Sequence, residues 1–282
     1  MRSAVTGKRT LTAWALLVYA FLYVPIAVVI VYAFNANRAV TYWTGFTTDW
    51  FRRALDNPTY LPAVETSVKI AVLNSIIATA LGTAGALALA RMNKRLRVPF
   101  DVLVYMTLVT PEIVIAVASL IFFVQARANL PVFPTLGWKT ILLAHVIFNA
   151  SVVTLIVRAR FVGMGSTLEE ASFDLGARPL ATFRQVTLPR LLPAVIAGAL
   201  LAFTFSFDDY VTSAFTAGGA TQTWPMVVFA AVRFGVTPAI NALATMMLLV
   251  TLALIVLTGV VLRRGRSGQA GDQGLSAVLG LR

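Results

Sequence analysis

The sequence predicts an all-α integral membrane protein of six transmembrane helices, and three observations predict it. Of 282 residues, 59% are hydrophobic and only 12% charged, whereas a soluble domain sits near half apolar and about one quarter charged. Six stretches are apolar over the roughly 20 residues that a helix needs to cross about 30 Å of hydrocarbon. The 23 Lys and Arg fall between those stretches, so the formal net charge of +12 is not the clustered, solvated face that nucleic acid requires, and no nucleic-acid partner is expected. The absence of Cys and the single His exclude disulfides, thiolate metal sites, cysteine nucleophiles and multi-histidine metal sites.

Taken in order, the spans cover residues 11–34, 64–90, 100–125, 140–157, 191–215 and 240–262. The first follows Arg2, Lys8 and Arg9 like a signal peptide, but it is too long for an h-region and lacks a small-x-small cleavage site, so it is expected to be retained. Sixteen of the 23 basic residues lie in the N-terminus, the loop with Arg91 to Arg97, the loop with Arg158 to Arg190 and the C-terminal tail. Positive charge favours the cytoplasmic side, which places both termini there. Outside, residues 43–55 (WTGFTTDWFRRAL) mix aromatics with charge and suit a short interfacial helix, with Trp43 either an aromatic anchor or a substrate contact. Residues 265–282 are rich in Gly, Ser and Gln and read as a mobile tail.

The loop after the fourth span is the longest cytoplasmic connection, and long loops in compact proteins tend to be functional. Ser166 or Thr167 suits an N-cap, with Glu169 or Glu170 making the return contact of a capping box. Gly176 suits a left-handed stop, and Pro179 opens a second short helix carrying Leu180, Phe183 and Val186 that closes near Pro189. Small Ala171 and Gly176 let such an element seat closely on a partner, while Glu170 and Asp174, four apart, share one polar face.

The spacing Glu170-Ala171-Ser172, three residues, Gly176, nine residues, Val186, one residue, Leu188-Pro189 resembles the EAA signature of permeases in binding-protein-dependent ABC importers. It departs from that signature at Ser172 for Ala and Val186 for Ile. The resemblance implies a MetI-like type I importer core in helices 2 to 6. It makes residues 161–190 a coupling loop that docks on a cytoplasmic ATPase, with Glu170, Ala171, Asp174 and Gly176 at the contact. The expected organisation is residues 1–62 as an N-terminal segment with the first helix and external loop, 63–264 as the permease domain, and 265–282 as the tail. No Gly-x-x-x-x-Gly-Lys-Ser/Thr loop occurs, so the chain is expected to be no enzyme and to bind no cofactor itself, ATP and Mg belonging to a separate motor.

Carboxylates inside spans are functional candidates by default, and Glu112, Asp208 and Asp209 are the three. Glu112 is about 18 Å along a straight third span and Asp208 about 26 Å along the fifth, with no Lys or Arg at comparable depth. Asp208 and Asp209 are about 100° apart on a helix and are not expected to face one lumen together; one of them suits a helix cap. A path lined by carboxylates favours a cation, and Tyr210, Phe207 and Trp224 stand close enough in sequence to add cation–π contacts. His145, Asn149 and Ser151 in the fourth span, and Asn74 and Ser75 in the second, read as interhelical hydrogen-bonding residues, and Glu65 and Lys69 as a helix ion pair.

Residues 110–114 (TPEIV), 206–215 (SFDDYVTSAF) and 235–249 (GVTPAINALATMMLL) resemble the spermidine/putrescine permease branch, in its PotC-type subunit. That resemblance implies a PotB-like second permease, a PotA-like ATPase dimer and a PotD-like external binding protein. Importers of ferric iron, thiamine or phosphonate are the alternatives within the class. An ion-coupled secondary transporter is the alternative outside it, but the inverted repeats it needs are not evident.

Overall fold

In the computed structural model the described residues are 2–38 and 42–252, with side chains described from residue 11 onward. The tail at 265–282 and the end of the sixth predicted stretch lie outside them. The described residues are helical almost throughout, apart from one isolated antiparallel bridge between Asn35 and Phe46. In lipid, backbone groups find no water, and a helix is the element that satisfies them within one segment. Among the described residues, five helices are long and apolar enough to cross a membrane.

The chain divides into two compact units, residues 58–230 and the residues on either side of them. The flanking unit contains α1 (Arg2–Tyr32) and α2 (Asp49–Leu55), the latter within the interfacial helix expected at 43–55. Its loop is organised around buried Asn35, whose Nδ2 donates to the Tyr42 carbonyl and whose backbone carbonyl accepts from Trp50 Nε1. The same unit holds α12 (Pro238–Leu252), the described part of the sixth stretch.

The 58–230 unit is built on α3 (Tyr60–Arg91), α6 (Trp138–Gly163) and α9 (Leu188–Asp208), which pack pairwise on one another. Lipid tails give apolar helices no hydrophobic reason to associate, so close backbone approach through small residues must hold them. The buried cluster Ala78, Ala86, Val153, Val157, Leu191 and Ala202 follows that rule. Val153 is its centre: a Cβ placed on Gly82 of α3 would lie 2.6 Å from Val153 Cβ, and one on Gly198 of α9 would lie 3.2 Å from Val153 Cγ1. Polar side chains tie the same helices to backbone carbonyls. Asn74 Nδ2 donates to Ala202 O (2.9 Å), Ser75 Oγ to Ala199 O (2.7 Å) and Thr154 Oγ1 to Gly82 O (3.2 Å).

Several elements differ from the sequence reading. The third stretch is two helices, α4 (Lys94–Val109) and α5 (Glu112–Asn129), because Pro111 forces the preceding residue out of the helical region, and Thr110 is extended at φ −65, ψ 130. The fifth ends at Asp208 instead of continuing to residue 215; α10 (Val211–Thr216) follows as a separate short helix. The loop beyond it contains an unforeseen helix, α11 (Trp224–Phe234). Lys69 sits 3.8 Å from the ring centroid of Trp138 rather than on Glu65, a cation–π contact in place of the expected ion pair.

The tight seam makes a stability prediction. Gly82→Leu should lower the thermal midpoint of the purified protein in detergent, with an overpacking cost of about 1–3 kcal/mol. Gly163→Ala, where an added Cβ meets nothing within 4 Å, should melt at or above wild type.

Candidate functional site

Two regions of the 58–230 unit gather the residues singled out by chemistry. The first is a cavity of about 400 Å³ whose walls include Thr110, Glu112, His145, Asn149, Asp208 and Asp209, with no Lys or Arg among its lining residues. Each of the three carboxylates is placed by a local backbone event. Glu112 opens α5 directly after the Pro111 break, where the positive end of the helix dipole favours a carboxylate. Asp208 is the last residue of α9, where the negative end disfavours one. Helix stability therefore does not explain Asp208, and no hydrogen bond or ion pair holds it among the described residues.

Asp209 is different. It leaves the helix at φ −67, ψ 119, and its Oδ1 accepts the Ser213 backbone N–H (2.8 Å) at the start of α10. That carboxylate also lies 3.3 Å from His145 Nε2 and shares the cavity wall with Glu112. Because the backbone turns between them, Asp208 and Asp209 both line the cavity, which corrects the expectation drawn from helical spacing; the cap expected of one of them is made by Asp209.

His145 is buried and links three helices, as its sequence context suggested. Nδ1 is 2.8 Å from Ser206 Oγ of α9, and Nε2 faces Ser213 Oγ (3.3 Å) and Asp209. A network in which Nε2–H donates to Asp209 leaves Nδ1 to accept the Ser206 hydroxyl. Asn149 lies one turn further along α6, buried, with Oδ1 lacking a protein partner. Ser151 only donates to its own helix, at Ile147 O.

The depth of the cavity can be measured against α6. Asp101 of α4 forms an ion pair and hydrogen bond with Arg158, near the C-terminal end of α6, and a 3.5 Å ion pair with Arg97. Arg158 and His145 are separated by about 20 Å of helix, and His145 is about 10 Å from the first residue of α6. The cavity thus lies well inside the length of the helix, even though the straight-span count behind the earlier depth of Glu112 does not apply.

The structure does not bring the other path candidates to this cavity. Tyr210 stacks on Phe229 (centroids 4.1 Å), Phe207 on Phe203 (5.9 Å), and Trp224 is buried against Tyr60 (6.5 Å). Trp43 belongs to the flanking unit, edge-on to Tyr32. Sequence proximity to the carboxylates was the signal for the first three; the bend after Asp208 removes its force for Tyr210 and Trp224, and Phe207 stacks on Phe203 of its own helix.

The second region is the loop between α6 and α9. Here α7 (Thr167–Asp174) is followed by Gly176 at φ +80, the left-handed stop read from the sequence. Glu170, Ala171, Asp174 and Gly176 are all exposed, together with Leu168, Phe173 and Leu175. The capping box does not form: Ser166 makes no side-chain cap, and Glu169 is engaged elsewhere, with Thr187 and Arg91. The second helix does not close at Pro189 either. It begins as α8 (Pro179–Thr182), widens into a π turn at Phe183–Thr187 and continues as α9. Pro189 has no N–H and its ring crowds the carbonyl four residues back, and a widened turn relieves both.

Comparison with known proteins places this arrangement. Residues 78–265 match the family described as the inner membrane component of binding-protein-dependent transport systems. The spermidine/putrescine transport system permease protein PotC of Haemophilus influenzae is 38% identical, covering 89% of this chain and 96% of the relative. The putrescine transport system permease protein PotI of Escherichia coli K12 is 40% identical over 83% of each chain, and PotC of the same strain 34% over 90% and 94%. Among solved structures, a bacterial ABC transporter importing the acidic polysaccharide alginate aligns with a TM-score of 0.67 at 15% identity, covering 93% of this chain and 98% of that one. The MetNI methionine ABC transporter aligns at 0.56 and 17%, covering 70% and 91%. At such identities the structures speak for the fold alone.

The division of labour between the two aspartates is testable. Asp209→Ala should lower the thermal midpoint by the loss of a cap, about 1 kcal/mol, with Asp209→Asn retaining most of it. Asp208→Ala should leave the midpoint unchanged in the same detergent melt.

Proposed function

Because the chain belongs to the family of inner membrane components of binding-protein-dependent transport systems, we propose that it is one permease subunit of a polyamine ABC importer, forming half of the path for spermidine or putrescine. One observation carries the substrate class: the cavity at Glu112, Asp208 and Asp209 has three carboxylates and no Lys or Arg in its walls. A polyamine presents several ammonium groups along a flexible apolar chain, and a cavity of spaced carboxylates with apolar walls at Ile115, Phe148 and Phe205 complements both features. Ion pairing is stronger there than in bulk water, because the surrounding helices lower the local dielectric. An anionic solute such as a phosphonate meets the wrong sign of charge.

The importer would be completed by a PotB-like permease, two PotA-like ATPases holding ATP and Mg, and a PotD-like external binding protein. This chain contributes neither an ATP site nor a cofactor. Residues 63–264 form the permease domain, with both termini cytoplasmic and Trp43 on the outer side. The exposed face of α7 and Gly176 seat on the ATPase: Glu170 and Asp174 meet its polar groups, while Ala171 and Gly176 allow close approach. Closure of the motors on ATP then biases the permease pair towards an outward-open state, and hydrolysis returns it. Such a cycle requires two states that nucleotide and loaded binding protein favour differently.

Uptake of labelled putrescine and spermidine by cells carrying the whole system tests the substrate class. Glu112→Gln and Asp208→Asn should each reduce uptake about tenfold or more, the scale of one charge-assisted hydrogen bond, with unchanged amounts of assembled complex. Normal uptake in both variants would sink the acidic path, and competition by thiamine or ferric iron but not by spermidine would reassign the solute. Gly176→Val should separate hydrolysis from uptake, because a β-branched residue at φ +80 costs about 1–2 kcal/mol although nothing crowds the site. Wild-type uptake in that variant would remove the docking assignment.

A further inference from the structure

Glu169 stands beside the EAA motif but turns away from its exposed face. Its side chain is 20% exposed, and it contacts two other elements. The carboxylate accepts a hydrogen bond from Thr187 Oγ1 and lies 3.7 Å from the guanidinium of Arg91, at the C-terminal end of α3. The Thr187 contact, like those of Thr140, Thr154 and Thr182, reaches another element. Thr107, Thr204, Thr216 and Thr245 each donate to the carbonyl four residues back in their own helix, the ordinary behaviour of a helical threonine. Thr187, buried to 1% exposure, instead donates across to α7.

The position of Thr187 gives this contact its meaning. It is the last residue of the π turn Phe183–Thr187, and Thr182 immediately precedes that turn. The Thr182 hydroxyl is itself 2.9 Å from Ser172 Oγ of α7. One short helix therefore grips the π turn at both ends, through Ser172–Thr182 and Glu169–Thr187. A π turn is a local departure from the α-helical register, so shifting or closing it rotates everything beyond. What lies beyond is α9, which ends at Asp208 in the wall of the acidic cavity.

We propose that Glu169 is the tether through which displacement of α7 loads the Phe183–Thr187 π turn, making that turn the joint that converts motor docking into rotation of α9. This rests on the reading of the chain as a motor-coupled permease. Arg91 brings the same carboxylate within 3.7 Å of α3, so α7, α3 and the base of α9 meet at Glu169. Packed helices move between discrete arrangements rather than deforming continuously, and a joint at the base of α9 gives that motion a place to occur. Glu169 is a positioning residue: it acts through Thr187 and touches no solute.

The complete importer, with both permeases, ATPase and binding protein, is reconstituted in proteoliposomes, and putrescine uptake and ATP hydrolysis are measured together. Glu169→Gln and Thr187→Val should each reduce uptake per ATP hydrolysed by about tenfold, the scale of a hydrogen bond to a charged group. The double variant should be no worse than the more severe single one, because both remove one link. Thr187→Ser keeps the donor and should retain the wild-type ratio. Multiplicative losses in the double variant, a Thr187→Ser ratio as low as that of Thr187→Val, or uptake and hydrolysis falling in proportion would each overturn the tether. A wild-type complex without ATP-driven uptake would overturn the importer reading, and the tether with it.

Discussion

The 58–230 unit depends on how closely α3, α6 and α9 approach around Val153. In hydrocarbon, an apolar helix gains nothing by exchanging lipid for another apolar helix of the same character, so association rests on contact distance. Val153 occupies the space left by the missing side chains of Gly82 and Gly198, with Ala78, Ala86 and Ala202 filling the seam around it. At that spacing the Asn74, Ser75 and Thr154 side chains reach backbone carbonyls on neighbouring helices. A hydroxyl or amide left unpaired in a membrane interior is costly, so these bonds fix the rotational setting of each helix as well as its distance. His145 inherits its position from that setting: it reaches Ser206 only because α6 and α9 are in close contact.

Carboxylates are tolerated within such a unit where the helices stop. Glu112 begins a helix, Asp208 ends one, and Asp209 lies in the bend between two. At these points backbone groups come free and the wall of the bundle opens, so polar side chains meet polar partners rather than lipid. Asp209 is consumed by this structural work, satisfying the Ser213 N–H and holding His145. Asp208, placed against the helix dipole, is held by no side-chain contact among the described residues and, with Glu112, carries the proposed solute path.

How much of this was legible in the sequence follows from the range of the interactions. The presence of apolar spans, the stop at Gly176, the linking role of His145 and the interhelical Asn74 and Ser75 were readable because each depends on composition or on neighbours within a few residues, whereas the extent of the third and fifth spans and the role of Ser151 were not. The break before Glu112 was also local, since Thr110-Pro111 signals it, but hydrophobicity on both sides concealed it. The capping box was misassigned for the opposite reason: Ser166 and Glu169 have the right spacing, yet Thr187, 18 residues later, competes for the carboxylate and wins. Tyr210 and Trp224 were misplaced because proximity along the chain ceased to mean proximity in space once the backbone turned after Asp208. The orphaned Asn149 Oδ1 carried no sequence signal beyond its being a polar residue in a span.

The two regions of interest share a cause. Pro111 interrupts one helical path beside the acidic cavity, and Pro189 widens another beside the coupling loop. Each removes a backbone donor and crowds the preceding turn; Asp209 and His145 line the same cavity as the first, and the second is braced by Ser172 and Glu169 from α7. A straight helix can transmit a push only along its axis. An interrupted helix whose loose turn is held by side chains of a different element can be turned by moving that element. The α9 helix begins at one such interruption and ends at the cavity bordered by the other, so the proposed tether and Asp208 stand at the two ends of one helix.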